Sequence, residues 1–282
     1  MSADAALARL SIGHYMLRRW SLDEDVRHLE RLGFRSISLA STKLDAYGAA
    51  RAIRLLRAST LKVAHVGSYG RFGRERRTIQ RGVDRLRRAI DTVHRLEGDA
   101  LFVLSGSRDG ASWDEAARIT RDAYARLLPE ATAAGIRLAL EVIHPLRQDL
   151  SFVNTLADAR ELTRAAGRRG GYVLDLFHSG WERRLLETIR RDAARRIHAV
   201  QLCDVKRVTL RTMDRALLGR GILPLRAIVR ALEAGGYHGW YEAEIISDDL
   251  EQMGYERALR HTRAAFARLL PNGRAEHRAR HG

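Results

Sequence analysis

The sequence holds a single cysteine, Cys203, and three lysines, Lys43, Lys62 and Lys206, in 282 residues. One thiol excludes any disulfide within the chain. Its position inside the apolar run AVQLCDV marks it as a core residue, and a reducing compartment is the simpler expectation. No apolar run approaches the roughly 20 residues that span a bilayer, and Met1 to Leu10 lacks the charged start and long apolar stretch of a signal peptide. A cytoplasmic protein without membrane contact is therefore expected. The scarcity of lysine also changes how the formal charge of +16 reads. A strongly basic chain invites a nucleic-acid partner, but here the positive charge is almost all arginine, spread along the whole chain with abundant alanine. That texture makes arginine the generic solvated residue, and a nucleic-acid partner is disfavoured. Only the end, PNGRAEHRARHG, is locally basic; after its Pro/Gly break, residues 271–282 are expected to form a disordered tail.

What is present is an alternation of short apolar runs with longer amphipathic stretches, the pattern of βα units feeding a parallel sheet. Eight strand candidates occur: SIGHYML (11–17), RSISLA (35–40), LKVAHV (61–66), ALFVLS (100–105), RLALEVI (137–143), GYVLDLF (171–177), IHAVQLC (197–203) and GWYEAEI (239–245). Helical stretches are predicted to begin near Asp23, Ala46, Arg77, Asp114, Thr155, Trp181 and Leu225, with a last one from Glu251 to Leu269. Ser21 with Glu24 three residues on makes a capping box, and Gly33, Gly135 and Gly235 stand where helices should stop. Eight units with no linker between them predict one (β/α)₈ barrel over residues 1–270. The runner-up, a doubly wound sheet, wants a glycine-rich turn after its first strand, and SIGHYMLRRW has none.

In a parallel barrel the chemistry gathers at the C-terminal strand ends. Polar residues inside apolar runs at those ends are Glu141 and His144, Asp175 and His178, Gln201 and Asp204, and Glu244. Each alone reads as well as an ion pair with one of the many arginines. Together, acidic or amide side chains end strands five to eight in succession, so all four converge near the barrel axis. Burying three carboxylates together calls for a cation.

The segments LALEVIHPLRQDLSFVNTLADA (138–159), GYVLDLFHSGW (171–181), IHAVQLCDV (197–205), DRALLGRGILPL (214–225) and GYHGWYEAEIIS (236–247) resemble the sugar phosphate isomerase/epimerase family with a xylose isomerase-like barrel. That group includes inosose isomerases and dehydratases and ketose 3-epimerases. The resemblance covers nearly the whole chain and is most specific in its second half. It implies one divalent ion held by Glu141, Asp175, Gln201 and Glu244, with His178 and Arg215 binding substrate and His65, His144 and Trp181 lining the pocket. Many members carry His at the position of Gln201; an amide oxygen is a harder donor, which favours Mn²⁺ or Mg²⁺ over Zn²⁺ or Co²⁺. The implied chemistry is proton transfer next to a carbonyl, with Glu141 and Glu244 sharing the roles of base and acid in either order and the ion stabilising the enediolate. A small sugar, keto-sugar or cyclitol, without phosphate, is the expected substrate of an isomerase or epimerase, and a homo-oligomer is compatible with the family.

Three other readings compete. A dehydratase or lyase shares the same site, because the enediolate can also expel a β-leaving group. An abasic-site endonuclease uses a related barrel with three zinc ions, but needs histidines that are missing here: the fourth strand ends LSGSRDG, position 201 is Gln, and Asp214 is followed by Arg215 and Ala216. A non-catalytic sugar-binding barrel would have no use for both glutamates.

Overall fold

Each apolar run pairs parallel with the next in chain order and the last pairs with the first, closing an eight-stranded barrel. The structure is a computed structural model and describes residues 7–208 and 213–270. Its strands are β1 (Leu10–Gly13), β2 (Ser36–Ala40), β3 (Lys62–Gly70), β4 (Ala100–Leu104), β5 (Arg137–Glu141), β6 (Gly170–Asp175), β7 (Ile197–Leu202) and β8 (Tyr241–Ala243). The surrounding helices are α1 (Leu22–Arg31), α2 (Ser41–Tyr47), α3 (Ala49–Arg57), α4 (Arg76–Arg95), α5 (Trp113–Ala133), α6 (Leu156–Thr163), α7 (Leu176–Ser179), α8 (Leu185–Asp192), α9 (Leu225–Ala234), α10 (Asp248–Met253) and α11 (Tyr255–Leu269). No described helix is long and apolar enough to cross a membrane.

The strands are short and buried on both faces, which is why they read as continuous apolar runs. One face packs against the helices. The other fills the barrel with a small cluster of Ala100, Phe102, Ala139, Val173 and Ala199. Because strand side chains alternate with period two, the residues two places beyond Ala139, Val173 and Ala199 project to the same interior. Those residues are Glu141, Asp175 and Gln201. On β8 the residue two places before Glu244 is a second carboxylate, Glu242. The barrel makes room for it at Gly13, where a Cβ would stand 2.6 Å from Glu242 Oε1.

Helix ends follow the expected chemistry. Ser21 Oγ accepts from Glu24 N, and Ser21 N donates to Glu24 Oε2 at 2.7 Å, the reciprocal box that satisfies two first-turn donors of α1. Several boundaries differ from those predicted. The first strand stops at Gly13, and His14–Leu17 turns as a 3₁₀ helix. The third runs on to Gly70 because Tyr69 and Gly70 still pair with Val103 and Leu104 of β4. The helix expected near Ala46 is two, α2 and α3, divided at Gly48 with φ +87°. The helix expected at Trp181 is also two: α7 starts directly after Asp175 and α8 at Leu185, leaving Trp181 in the turn between them. The predicted tail, 271–282, lies outside the described residues.

Candidate active site

Four strand ends deliver the predicted polar group to one place. Asp175, Gln201, Glu244 and Glu141 are 0%, 3%, 4% and 5% exposed, so bulk water screens neither the three carboxyl groups nor the amide. Arg215, from the segment after β7, is equally buried and stands between two of them. Its Nη2 donates to Asp175 Oδ2 at 2.8 Å, and its Nη1 lies 2.9 Å from Glu244 Oε1 and donates to the Glu244 carbonyl at 2.7 Å. The Phe177 ring covers the guanidinium. Burial works against the Arg215 charge, but Asp175 and Glu244 outweigh it and hold the pKa above its ordinary value. The structure brings Arg215, expected to bind substrate, between these two carboxylates.

Gln201 Nε2 donates to Glu244 Oε2, and Gln201 Oε1 is left buried without a partner. Among the described residues, no three His, Cys, Asp or Glu side chains stand close enough to hold an ion by themselves. The donor set nevertheless fits a divalent cation. Four carboxylates, Glu141, Asp175, Glu242 and Glu244, share this layer, against one buried described guanidinium. Burial raises Glu244, and Asp175 and Glu242 add to the rise while Arg215 opposes it. Glu242 is pushed up to about 8, first by burial and then by Asp175. A hard amide oxygen without a partner beside carboxylates short of positive charge is what an oxygen-liganded ion would satisfy.

Glu141, Glu244 and His178 line an open cleft of about 430 Å³ above this layer, within the size range of small-molecule sites. His178 Nδ1 accepts from the His144 amide at 3.0 Å, so the ring proton sits on Nε2. Burial lowers its pKa to about 4, leaving a neutral imidazole with a fixed donor. Asp175 Oδ2 is 3.6 Å from that nitrogen, too far for a direct bond.

Three predicted pocket residues lie elsewhere. His65 is mid-strand, fully buried one layer down, 3.3 Å from Glu242 Oε2 and packed on Phe102. The continuation of β3 to Gly70 puts it there, and burial lowers its pKa to about 3. His144 contributes its backbone to His178 but does not line the cleft. Trp181 is 53% exposed, its Nε1 donating to the His178 carbonyl, and it faces an outer groove with Arg160 and Arg184.

The cleft also contains residues that sequence reasoning did not single out. Tyr15, turned inward by the 3₁₀ helix, has its hydroxyl pushed up to about 12 by burial and then by Glu244 and Glu141. Glu242 was legible in principle, since YEAE puts two carboxylates on one strand face. Tyr15 was not, because its place depends on where β1 stops.

The sequence matches the model of the family described as xylose isomerase-like TIM barrel over residues 26–265. The chain belongs to that family. No protein of curated function matches it significantly. Among solved structures, the family member resembles the protein SMc04130 of Sinorhizobium meliloti 1021 at 29% identity and a TM-score of 0.87, covering 94% of this chain and 99% of that one. It shares its fold with the IOLI protein, solved with a zinc atom, at 19% identity and TM-score 0.79 over 93% and 97% of the two chains. The fold is shared too with 3-keto-D-glucoside 4-epimerase, YcjR, from E. coli, at 18% identity and TM-score 0.73 over 91% and 99%.

Proposed function

We propose that this chain is a divalent-metal-dependent isomerase or epimerase that moves a proton on the carbon next to a carbonyl of a small polyhydroxylated substrate. The observation that carries the reading is the convergence of Glu141 and Glu244 on one cleft, over Asp175 and the unpartnered Gln201 oxygen. Glu141, Asp175, Gln201 and Glu244 would hold the ion, with Mn²⁺ or Mg²⁺ preferred by an all-oxygen set. When bound, such an ion polarises a carbonyl as a Lewis acid. The zinc in the IOLI structure and the epimerase activity named for the E. coli relative are in keeping with this reading.

The chain's own groups account for the proton traffic. One glutamate takes the C–H proton while the electron pair of that bond moves onto the carbonyl oxygen, giving an enediolate. The second, carrying a proton, returns it to carbon. Glu141 and Glu244, which both reach the cleft, share the base and acid roles. His178 Nε2 donates to a substrate oxygen, and Asp175, bonded to Arg215 and to the Phe177 amide at 2.7 Å, is held in one orientation. Departure of a β-hydroxyl from the same enediolate would make the enzyme a dehydratase.

The test is deuterium wash-in from D₂O with a panel of ketoses and inososes, on Mn²⁺-loaded protein. Deuterium enters at the carbon next to the carbonyl, Glu141→Gln abolishes its entry while the fold persists, and a product lacking one water identifies the dehydratase outcome. A wild type that binds about one divalent ion per chain but exchanges no proton with any of these compounds would remove the assignment.

A further inference from the structure

We infer that the substrate carries an anionic group, a carboxylate or a phosphate, held at the mouth of the cleft by Arg71 with Arg147 beside it. This rests on the cleft being the reaction site proposed above, and it differs from the expectation of a substrate without phosphate. Above the acidic floor, the walls bring in three guanidinium groups from separate parts of the chain: Arg71 just after β3, Arg85 on α4, and Arg147 in the turn after β5. Arg147 is held bidentately by Asp149 at 2.8 Å for both contacts, and Arg85 lies 3.2 Å from Asp45. Arg71 makes no ion pair within 4 Å among the described residues; the carboxylate its charge acts on is Asp149, already held by Arg147.

In a chain this rich in arginine, a solvated Arg71 would mean little by itself. Its backbone sets it apart. Arg71 has φ +71°, the left-handed region where glycine or asparagine fits with less strain. The strands lock it there: its N donates to Leu104 O at 2.9 Å, Phe72 N donates to Ser105 O at 3.0 Å, and a Cβ on Gly106 would stand 3.0 Å from the Arg71 Cα. Four described non-glycine residues have positive φ, and two of them, Arg71 and Met213, line this one cleft. Strained backbone held by its surroundings is characteristic of ligand-binding positions.

The charges give this strained arginine a purpose. An anion descending toward Glu141 and Glu244 would be repelled unless cations at the rim compensate, whereas a neutral polyol needs none. A guanidinium also binds carboxylate or phosphate through two parallel N–H donors, fixing orientation as well as position. Anion at the rim and carbonyl at the floor would hold the substrate by its two ends, so that the reacting carbon falls between the two glutamates.

The experiment measures binding of three compounds with one hydroxyketone head to Mn²⁺-treated full-length protein by titration calorimetry: D-fructose, D-fructose 6-phosphate and D-fructuronate. The wild type is expected to bind an anionic probe about tenfold or more tightly than D-fructose, with the preferred one reporting phosphate or carboxylate. In Arg71→Gln, and in Arg71→Gly, which also relieves the backbone strain, the ratio of anionic to neutral affinity falls toward one while the thermal melt is retained. Arg71→Lys keeps part of the ratio. Equal affinity for all three probes, failure of all three to bind at millimolar concentration, or a ratio that survives in the Arg71→Gln/Arg147→Gln double variant overturns the inference. Metal content and deuterium exchange are read separately. A protein that takes up no ion yet binds anions through Arg71 would defeat the proposed reaction and leave this assignment standing.

Discussion

Replacing Arg215 by methionine keeps a side chain of similar length but removes the buried cation between Asp175 and Glu244. Arg215 is 1% exposed and Asp175 0%, so water cannot take over its role. Breaking one side of such a pair costs about 3–5 kcal/mol, because the partner charge stays buried. At roughly 2–3 °C per kcal/mol for a domain of this size, the melting temperature in chelator should fall by about 6–15 °C. Thermal melts followed by circular dichroism give that number directly. A double-mutant cycle sharpens it: Asp175→Asn should harm the Arg215→Met background less than the wild type, with a coupling of about 1–3 kcal/mol. Excess Mn²⁺ should stabilise the variant at least as much as the wild type, since the ion would bring positive charge to the same carboxylates. A drop of less than about 2 °C, or strict additivity with Asp175→Asn, would refute the view that Arg215 compensates this acidic layer.

Two further outcomes follow from neighbouring features. Gln201→Leu should lose divalent metal, read by elemental analysis after dialysis, whereas Gln201→His should retain it and shift preference toward Zn²⁺ or Co²⁺; unchanged metal in both would move Gln201 out of the ligand set. Lys43 Nζ bonds Asp25 in a buried pair joining α2 to α1, so Lys43→Met should cost about 3 kcal/mol in urea unfolding, and Lys43→Met with Asp25→Leu should recover most of it. Equal losses in the single and double variants would contradict that pairing.

The barrel and its ligand candidates were readable in one dimension for a specific reason. Strand runs buried on both faces are apolar throughout, so Glu141, Asp175, Gln201 and Glu244 stand out as polar interruptions. Parallel closure then brings every such interruption at a C-terminal end to the same side. The capping box at Ser21 and Glu24 was equally legible, because it depends only on residues three apart. His65 lies lower inside the barrel than expected because β3 runs on to Gly70, and Trp181 lies in a turn because the helix expected there is two; element boundaries that move by a few residues are poorly legible in a sequence.

The sequence alone therefore determined the periodicity, the number of βα units and the polar side chains at the ends of strands five to eight, all properties of local spacing. Only the tertiary structure decided how their charges are balanced. Arg215, forty residues beyond Asp175 and twenty-nine before Glu244, bonds both. Glu242 joins their layer through the space left at Gly13, and Arg71 reaches the rim because β3 outruns its predicted end and β4 pins the turn. Electrostatic energy depends on separation through space and on burial, and neither quantity is carried by the order of residues along the chain.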